Sequence, residues 1–254
     1  MAWLQAADSF DPDGFDAPVV GIAATLVGHD SNLHQHKRGQ LLYARQGCIR
    51  ITLAEQLCLL PPSRAAWIPP QTAHGAAMRN VVNYRSLYFT PELCAKLPSQ
   101  ARVIDVSPLL QAVLEPMAIA DFEQDWSEQR YLHLLGLCIH EIGAAPSQPM
   151  LLPLPSDRRL AMLIARPENL PPTLKVLEGE IGASGKTIGR IFQRETGMGY
   201  QQWRQQWRLM RAIELMTTGC SLAHTATELE FSTDTAFIVF FKNMTGRTPK
   251  GFFK

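Results

Sequence analysis

The chain has 254 residues, 46% of them hydrophobic and 19% charged, with a formal net charge of +1, a composition ordinary for a soluble globular protein with room for two domains. No apolar run approaches the ~20 residues of a membrane span, and the acidic stretch Met1 to Asp16 lacks a signal peptide's basic start, so a cytoplasmic location is expected. Cys48, Cys58, Cys94, Cys138 and Cys220 are odd in number and contain no Cys-x-x-Cys pair, which suits reduced thiols rather than a disulfide frame. Cys138 falls on an apolar helix face and reads as a buried thiol.

From about Val19 to Phe89 the pattern predicts short strands and turns. Gln40 to Ala44 is followed by a turn at Gln46-Gly47, and Ile49, Ile51 and Leu53 then alternate with Arg50 and Thr52 as in a half-buried strand. Pro61-Pro62 and Pro69-Pro70 bracket the apolar run Ala65-Ala66-Trp67-Ile68, and proline is poorly tolerated in a central strand. Many short strands at this spacing predict a small barrel or jelly roll. His34 and His36 share one strand face, and His74 follows 38 residues after His36.

Helices are predicted over Ser107 to Met117 and Ser127 to Gly143. In the latter Leu132, Leu135, Ile139 and Ile142 recur at helical spacing, with Leu134, Leu137 and Cys138 widening the stripe, as expected of a barrel-covering or dimerisation helix. Ala144 to Pro155 carries four prolines in twelve residues, which predicts an extended, stiff spacer. The expected division is therefore a domain over residues 1–143, a linker over 144–155 and a second domain over 156–254. From Ser156 onward fourteen basic side chains stand against nine acidic ones, and before it ten against fourteen, so the charge divides into +5 and −4. A cationic C-terminal part can replace counterions on a phosphate backbone.

Two helix-turn-helix patterns, Leu174 to Gly197 and Leu222 to Gly246, occupy that part. In the first, Leu174, Leu177 and Ile181 form one apolar stripe, Gly179 reads as the small residue at a close helix crossing, Gly182 as a left-handed stop and Ser184 as the next helix's cap. Ile188, Ile191 and Phe192 would then be buried, leaving Lys186, Thr187, Arg190 and Arg194 outward, the face a recognition helix offers to the major groove. The second unit has Leu222, Ala226 and Leu229, a turn at Glu230-Phe231-Ser232 and Thr233 as N-cap. Phe237, Phe240 and Phe241 would be buried, with Asp234, Thr235, Ile238 and Lys242 outward. Trp203, Trp207, Met210 and Leu215 mark the buried side of a connecting helix. The 49 residues from Ser184 to Thr233 suit one rigid helix holding both readers.

Two catalytic motifs fail. Gly185-Lys186-Thr187 has the tail of a phosphate-binding loop, but Glu180 stands where the first glycine belongs and would repel phosphate. Gly182-x-Ser184 lacks the closing glycine of a nucleophile elbow, Lys186 standing there instead. No catalytic residues are assigned.

Residues from about Asp157 to Phe253 resemble the DNA-binding domain of the AraC/XylS family of bacterial transcription regulators. The resemblance rests on Phe192-Gln193-Arg194-Glu195-Thr196-Gly197 and on Ala236-Phe237 through Phe241-Lys242-Asn243-Met244-Thr245-Gly246-Arg247-Thr248-Pro249. It implies a sequence-specific regulator, repressor or activator, with promoter DNA and a small-molecule effector as partners. Two positions depart from the family pattern. Glu230 replaces the usual glycine in a left-handed turn, where a non-glycine is strained, and Asp234, Ile238 and Val239 leave the second reading face poorly basic.

His34, His36 and His74 resemble the histidine positions of a cupin barrel, the sensor domain commonly joined to this DNA-binding domain. The resemblance implies an α+β chain with an N-terminal cupin-like β-barrel and helices, a C-terminal all-α double helix-turn-helix domain, and pairing into a homodimer through sensor-domain helices. His34, His36, Gln40, Trp67 and His74 become the candidate effector pocket. Gln40 stands where the strict metal-binding pattern has glutamate, and its neutral amide oxygen is a poorer ligand for a divalent ion; no resident metal is expected, with a divalent ion at His34, His36 and His74 as the alternative. A cupin-type dioxygenase or isomerase fused to a DNA-binding domain is the competing function. The run His36-Lys37-Arg38-Gly39-Gln40-Leu41, with Trp67-Ile68-Pro69 and His74, is similar to a subgroup of the family, which implies control of a neighbouring gene for efflux, transport or metabolism.

Overall fold

Strands dominate the first hundred residues of the computed structural model, which describes residues 3–4, 10–53, 55–62, 64–78, 82–148, 150–165 and 169–253. They are β1 (Trp3–Leu4), β2 (Val19–Leu26), β3 (His29–Asp30), β4 (Gly39–Gln46), β5 (Ile49–Leu53), β6 (Gln56–Leu60), β7 (Arg64–Ile68), β8 (His74–Met78) and β9 (Val82–Phe89). A short helix α1 (Pro91–Cys94), strand β10 (Arg102–Asp105), helices α2 (Pro108–Ala118) and α3 (Gln129–Ala144), and strands β11 (Ser147–Gln148) and β12 (Leu151–Pro153) follow. The chain divides into one unit of Met1–Ala54 with Cys58–Leu151 and another of Glu55–Leu57 with Leu152–Lys254.

In the first unit a seven-stranded sheet runs in the order β1-β2-β9-β4-β7-β10-β11, antiparallel except for the parallel pair β1 and β2. A smaller sheet places β5 against β8 and β8 against β3, both antiparallel. Successive side chains on a strand point to opposite faces, and here both faces of the larger sheet are covered. Leu41, Tyr43, Ala65, Trp67, Leu87 and Phe89 join Leu110, Val113, Met117 and Cys138 of α2 and α3 in one core. Leu42, Ala44, Ala66, Ile68, Tyr84 and Tyr88 join Ile49, Ile51 and Met78 of the smaller sheet in the other. In β5 of the smaller sheet the expected alternation fails at Arg50, which is only 8% exposed, and holds at Thr52, which is exposed.

The two predicted helices form with small changes of boundary. Ser107 caps α2 by accepting from Leu110 N at 3.0 Å, and its hydroxyl donates to Glu141 of α3 at 2.7 Å, joining the start of α2 to the last turns of α3. Leu135, Cys138 and Ile142 of α3 are buried, whereas Leu132 and Leu137 are exposed; the pairing expectation falls on that outward face. Against β2, α2 lies so close that a Cβ on Gly21 would stand 2.1 Å from Met117 O and 2.8 Å from Ala118 Cα.

The proline-rich spacer is extended but not free. Ser147 and Gln148 pair with Ile104 and Val103, Leu152 is buried, Leu154 N donates to Glu55 O at 2.8 Å, and Pro149 lies outside the described residues.

In the second unit the helices are α4 (Ala161–Ala165), α5 (Leu174–Ile181), α6 (Gly185–Thr196), α7 (Tyr200–Thr217), α8 (Leu222–Glu228), α9 (Asp234–Thr245) and α10 (Pro249–Phe252). Leu160, Leu177, Ile188, Ile191, Phe192, Tyr200, Trp203 and Trp207 form its main core, each phenylalanine-sized side chain contributing about 1.5–3 kcal/mol on burial. Gly182 ends α5 in the left-handed conformation at φ 63°, as its position predicts. Gly179 does not make the expected close crossing, because a Cβ there would meet open space. The tight approach is at Gly185, where a Cβ would lie 2.8 Å from Glu178 Oε1 and 3.2 Å from Leu174 Cδ2.

Helix α7 is tied to surrounding backbone through its polar atoms as well as its apolar stripe. Trp203 Nε1 donates to Pro153 O at 2.7 Å, Trp207 Nε1 to Asn169 O at 3.2 Å and Arg204 Nε to Pro171 O at 2.6 Å. Arg208 donates to Leu229 O and lies 3.9 Å over the Phe231 ring. Phe240, expected in the core, is instead half-buried, with its ring 5.0 Å from Phe231 and 5.6 Å from the Arg208 guanidinium. Met210 is likewise only half-buried.

Glu230 adopts φ 58°, the left-handed conformation its place in the turn requires. Its carboxylate receives Arg204 Nη2 at 2.7 Å, with the arginine side chain 8% exposed and the glutamate 62%.

Two substitutions test these placements by chemical denaturation of the full chain. Gly21→Ala should lower stability by about 1–3 kcal/mol, the usual cost of overpacking; an unchanged midpoint would show that α2 yields freely. Glu230→Ala should be about 1 kcal/mol less stable than Glu230→Gly, because both lose the Arg204 contact but only glycine relieves the backbone strain. Equal stability would remove the strain argument.

Candidate functional site

Helices α6 and α9 begin at side-chain caps, as the sequence predicts. Ser184 Oγ accepts from Thr187 N at 3.3 Å at the start of α6, and Thr233 Oγ1 from Ala236 N at 3.1 Å at the start of α9. On α6, Ile188, Ile191 and Phe192 are buried while Lys186 and Arg190 are exposed and Thr187 is half-exposed. Neither Lys186 nor Arg190 enters an ion pair among the described residues. Arg194 differs: its Nη2 lies 2.6 Å from Glu195 Oε1, and Glu195 Oε2 accepts from Ser156 N and Asp157 N at 2.8 and 3.0 Å. On α9, Asp234, Thr235, Val239 and Lys242 are exposed and Ile238 is half-buried. Of the two helices, α6 thus carries two exposed basic side chains without an ion pair among the described residues, and α9 one exposed lysine with an exposed aspartate.

In the first unit a cavity of about 470 Å³ lies between the two sheets. Ile22, Ala24, Leu42 and Met78 supply apolar wall, and His34, Gln40, His74, Tyr84 and Tyr88 supply polar groups. Gln40 Nε2 is held by Ser86 Oγ at 2.9 Å, Tyr88 OH at 3.0 Å and Tyr84 OH at 3.2 Å. Burial raises the pKa of both tyrosine hydroxyls, so they remain protonated donors. Tyr84, Ser86 and Tyr88 are additions to the sequence-based pocket. Their spacing of two along β9 puts them on one face, and that alternation is the signal that could have found them.

Of the five residues assigned to the pocket, four gather and one does not. The His34 and His74 rings are 4.5 Å apart, His36 and His74 5.0 Å, and His36 packs edge-on to Tyr88 at 5.3 Å. Gln40 lines the cavity. Trp67 is the correction: it is fully buried on the opposite face of the seven-stranded sheet, its Nε1 donating to Pro98 O at 2.7 Å, because strand alternation sends its neighbours Ala66 and Ile68 to the face shared with the smaller sheet.

The residues fit a metal ion in one specific respect. Each histidine directs Nδ1 to a backbone carbonyl, His34 to Asn32 O at 3.0 Å, His36 to Arg38 O at 2.6 Å and His74 to Thr72 O at 2.8 Å. A carbonyl only accepts, so these contacts put the proton on Nδ1 and leave the Nε2 lone pair free. Nε2 of His74 is buried without a hydrogen bond, whereas the His36 ring has the Gln40 side chain as a hydrogen-bonding neighbour. Burial lowers the pKa of His36 and takes that of His74 down to about 4, so both rings are neutral at pH 7. No helix among the described residues is long and apolar enough to cross a membrane.

Comparison with known proteins agrees with both units. The model for the AraC-like ligand binding domain matches residues 16–146, and that for a helix-turn-helix domain matches residues 177–254. The chain is 28% identical over 222 residues to the HTH-type transcriptional regulator NimR of Escherichia coli (strain K12), covering 86% of this chain and 81% of that protein. It is similar to the solved structure of ToxT from Vibrio cholerae at 9% identity, covering 92% of this chain and 97% of that one with a TM-score of 0.38. It is also similar to the C-terminal domain of the response regulator yesN from Fusobacterium nucleatum, at 24% identity over 38% of this chain and 94% of that one, with a TM-score of 0.34. With the ligand-binding model spanning half of its length and the helix-turn-helix model following it, the chain belongs to the AraC family of transcription regulators.

Proposed function

We propose that this regulator reads promoter DNA chiefly through α6 and responds to a small molecule held between the two sheets of its first unit. Lys186 and Arg190, exposed and without an ion pair among the described residues, support the first half of this reading. Arginine can pair bidentately with a guanine edge, whereas α9 offers Thr235 and the aliphatic Ile238 and Val239. Lys242 serves phosphate attraction rather than base reading. The cavity, apolar on one side and carrying histidine, amide and phenol groups on the other, suits a compact molecule with an apolar body and a hydrogen-bonding head. Such a ligand acts by binding one DNA-affinity state more tightly than the other. A neighbouring transport or metabolic gene is the target we assign, from the subgroup resemblance.

Arg190→Ala should weaken binding to the cognate site by about 1–3 kcal/mol in a gel-shift titration at fixed salt, and Thr235→Ala by less. An unchanged affinity for Arg190→Ala, or a larger loss for Thr235→Ala, would reverse the ranking of the two helices. Footprinting of the full chain on DNA upstream of its own gene, with and without candidate small molecules, should show protection that one of them alters. Absence of protection would remove the DNA assignment, and turnover of a small molecule by the chain would make the cavity an active site.

A further inference from the structure

We infer that α9 selects thymine, Ile238 and Val239 packing against the C5-methyl groups that thymine presents on the floor of a major groove. The inference rests on the DNA reading above and gives the second helix-turn-helix a base preference of its own.

Helical spacing sets the face. Thr235, Ile238, Val239 and Lys242 stand at i, i+3, i+4 and i+7, one side of a 12-residue helix, while Phe237 and Phe241 are buried on the other. Thr235 is exposed, Val239 is 53% exposed and Ile238 is half-buried. Exposed aliphatic surface gains free energy when an apolar partner covers it. Ile238 and Val239 carry neither a donor nor an acceptor on their side chains, so hydrogen-bonded readout of any base is closed to them. Among the groups that base pairs show in the major groove, the thymine methyl is the apolar one.

The margin of the stripe decides between DNA and a protein partner. From Phe231 to Phe253 the basic residues are Lys242, Arg247 and Lys250 and the single acidic one is Asp234, and all four are exposed. An aliphatic strip with a cationic margin matches a groove whose walls carry phosphate and whose floor carries methyl groups. Stiffness adds to the fit. Valine and isoleucine are branched at Cβ, which in a helix holds each in one main rotamer, so their methyls are in place before DNA arrives and lose little freedom on contact. The methyl of Thr235 continues the strip toward the start of α9.

The test uses full-length protein and the DNA protected upstream of its own gene, synthesised once with thymine and once with uracil at every thymine position. Uracil keeps each hydrogen-bonding edge and loses only the methyl. In gel-shift titration at fixed salt, wild type should bind the thymine form at least about fourfold more tightly, the effect of one buried methyl group. Val239→Ala and Ile238→Ala should lose affinity for the thymine form and keep it for the uracil form, narrowing the ratio at least about twofold; retained uracil binding also shows that each variant is folded. Arg190→Ala should weaken both forms alike and keep the ratio. Equal wild-type affinity for the two forms overturns the inference and leaves the stripe to a protein partner. A ratio that both α9 variants leave unchanged also overturns it, because the methyl effect then comes from α6 or from the shape of the duplex. No binding of either form by wild type removes the DNA reading itself.

Discussion

The N-terminal unit depends on a sheet that is buried on both faces. Strand geometry sends alternate side chains to opposite sides, and in β4, β7 and β9 each of those sides meets a separate core. One is filled solidly by α2 and α3, with Gly21 allowing the helix backbone to rest on the strand. The other is shared with the smaller sheet and is incompletely filled, leaving a cavity that Gln40, Tyr84 and Tyr88 help to line. The cavity therefore follows from which residues occupy the inward parity of the neighbouring strands β2, β9 and β4.

A different constraint holds α6 and α9. Helix α7 uses two tryptophans and two arginines to grip carbonyl oxygens of segments distant in sequence, from Pro153 to Leu229. Those carbonyls belong to turns and loops whose hydrogen bonds must be found somewhere. The same contacts that satisfy them also seat the long helix between α6 on one side and α8 and α9 on the other. Arg204 extends this to Glu230, whose left-handed backbone is held by an ion pair where a glycine would need none.

Local patterns carried far in this chain. Helix caps at Ser107, Ser184 and Thr233, the left-handed stop at Gly182 and the burial of Ile188, Ile191 and Phe192 all depend on residues within one or two turns of each other. The errors arose where distance in sequence mattered. Gly179 and Gly185 are equally small, but only the neighbours brought by folding decide which one is crowded. Phe240 has the spacing of a core residue, yet the cation of Arg208 meets it instead of an aliphatic wall. Arg50 looked outward because alternation specifies opposite faces without saying that one of them is wet.

The order of residues by itself determined the two-part organisation, the tandem helix-turn-helix, the basic face of α6 and the shared parity of His34 and His36, because each rests on short-range periodicity and side-chain chemistry. Tertiary structure decided that the His34 and His74 rings lie 4.5 Å apart, that Trp67 lies on the far side of the sheet, and that Tyr84, Ser86 and Tyr88 hold Gln40 beside a cavity. The physical reason is pairing register: hydrogen bonds between strands far apart in sequence set which residues meet across the barrel, and no local pattern encodes that choice.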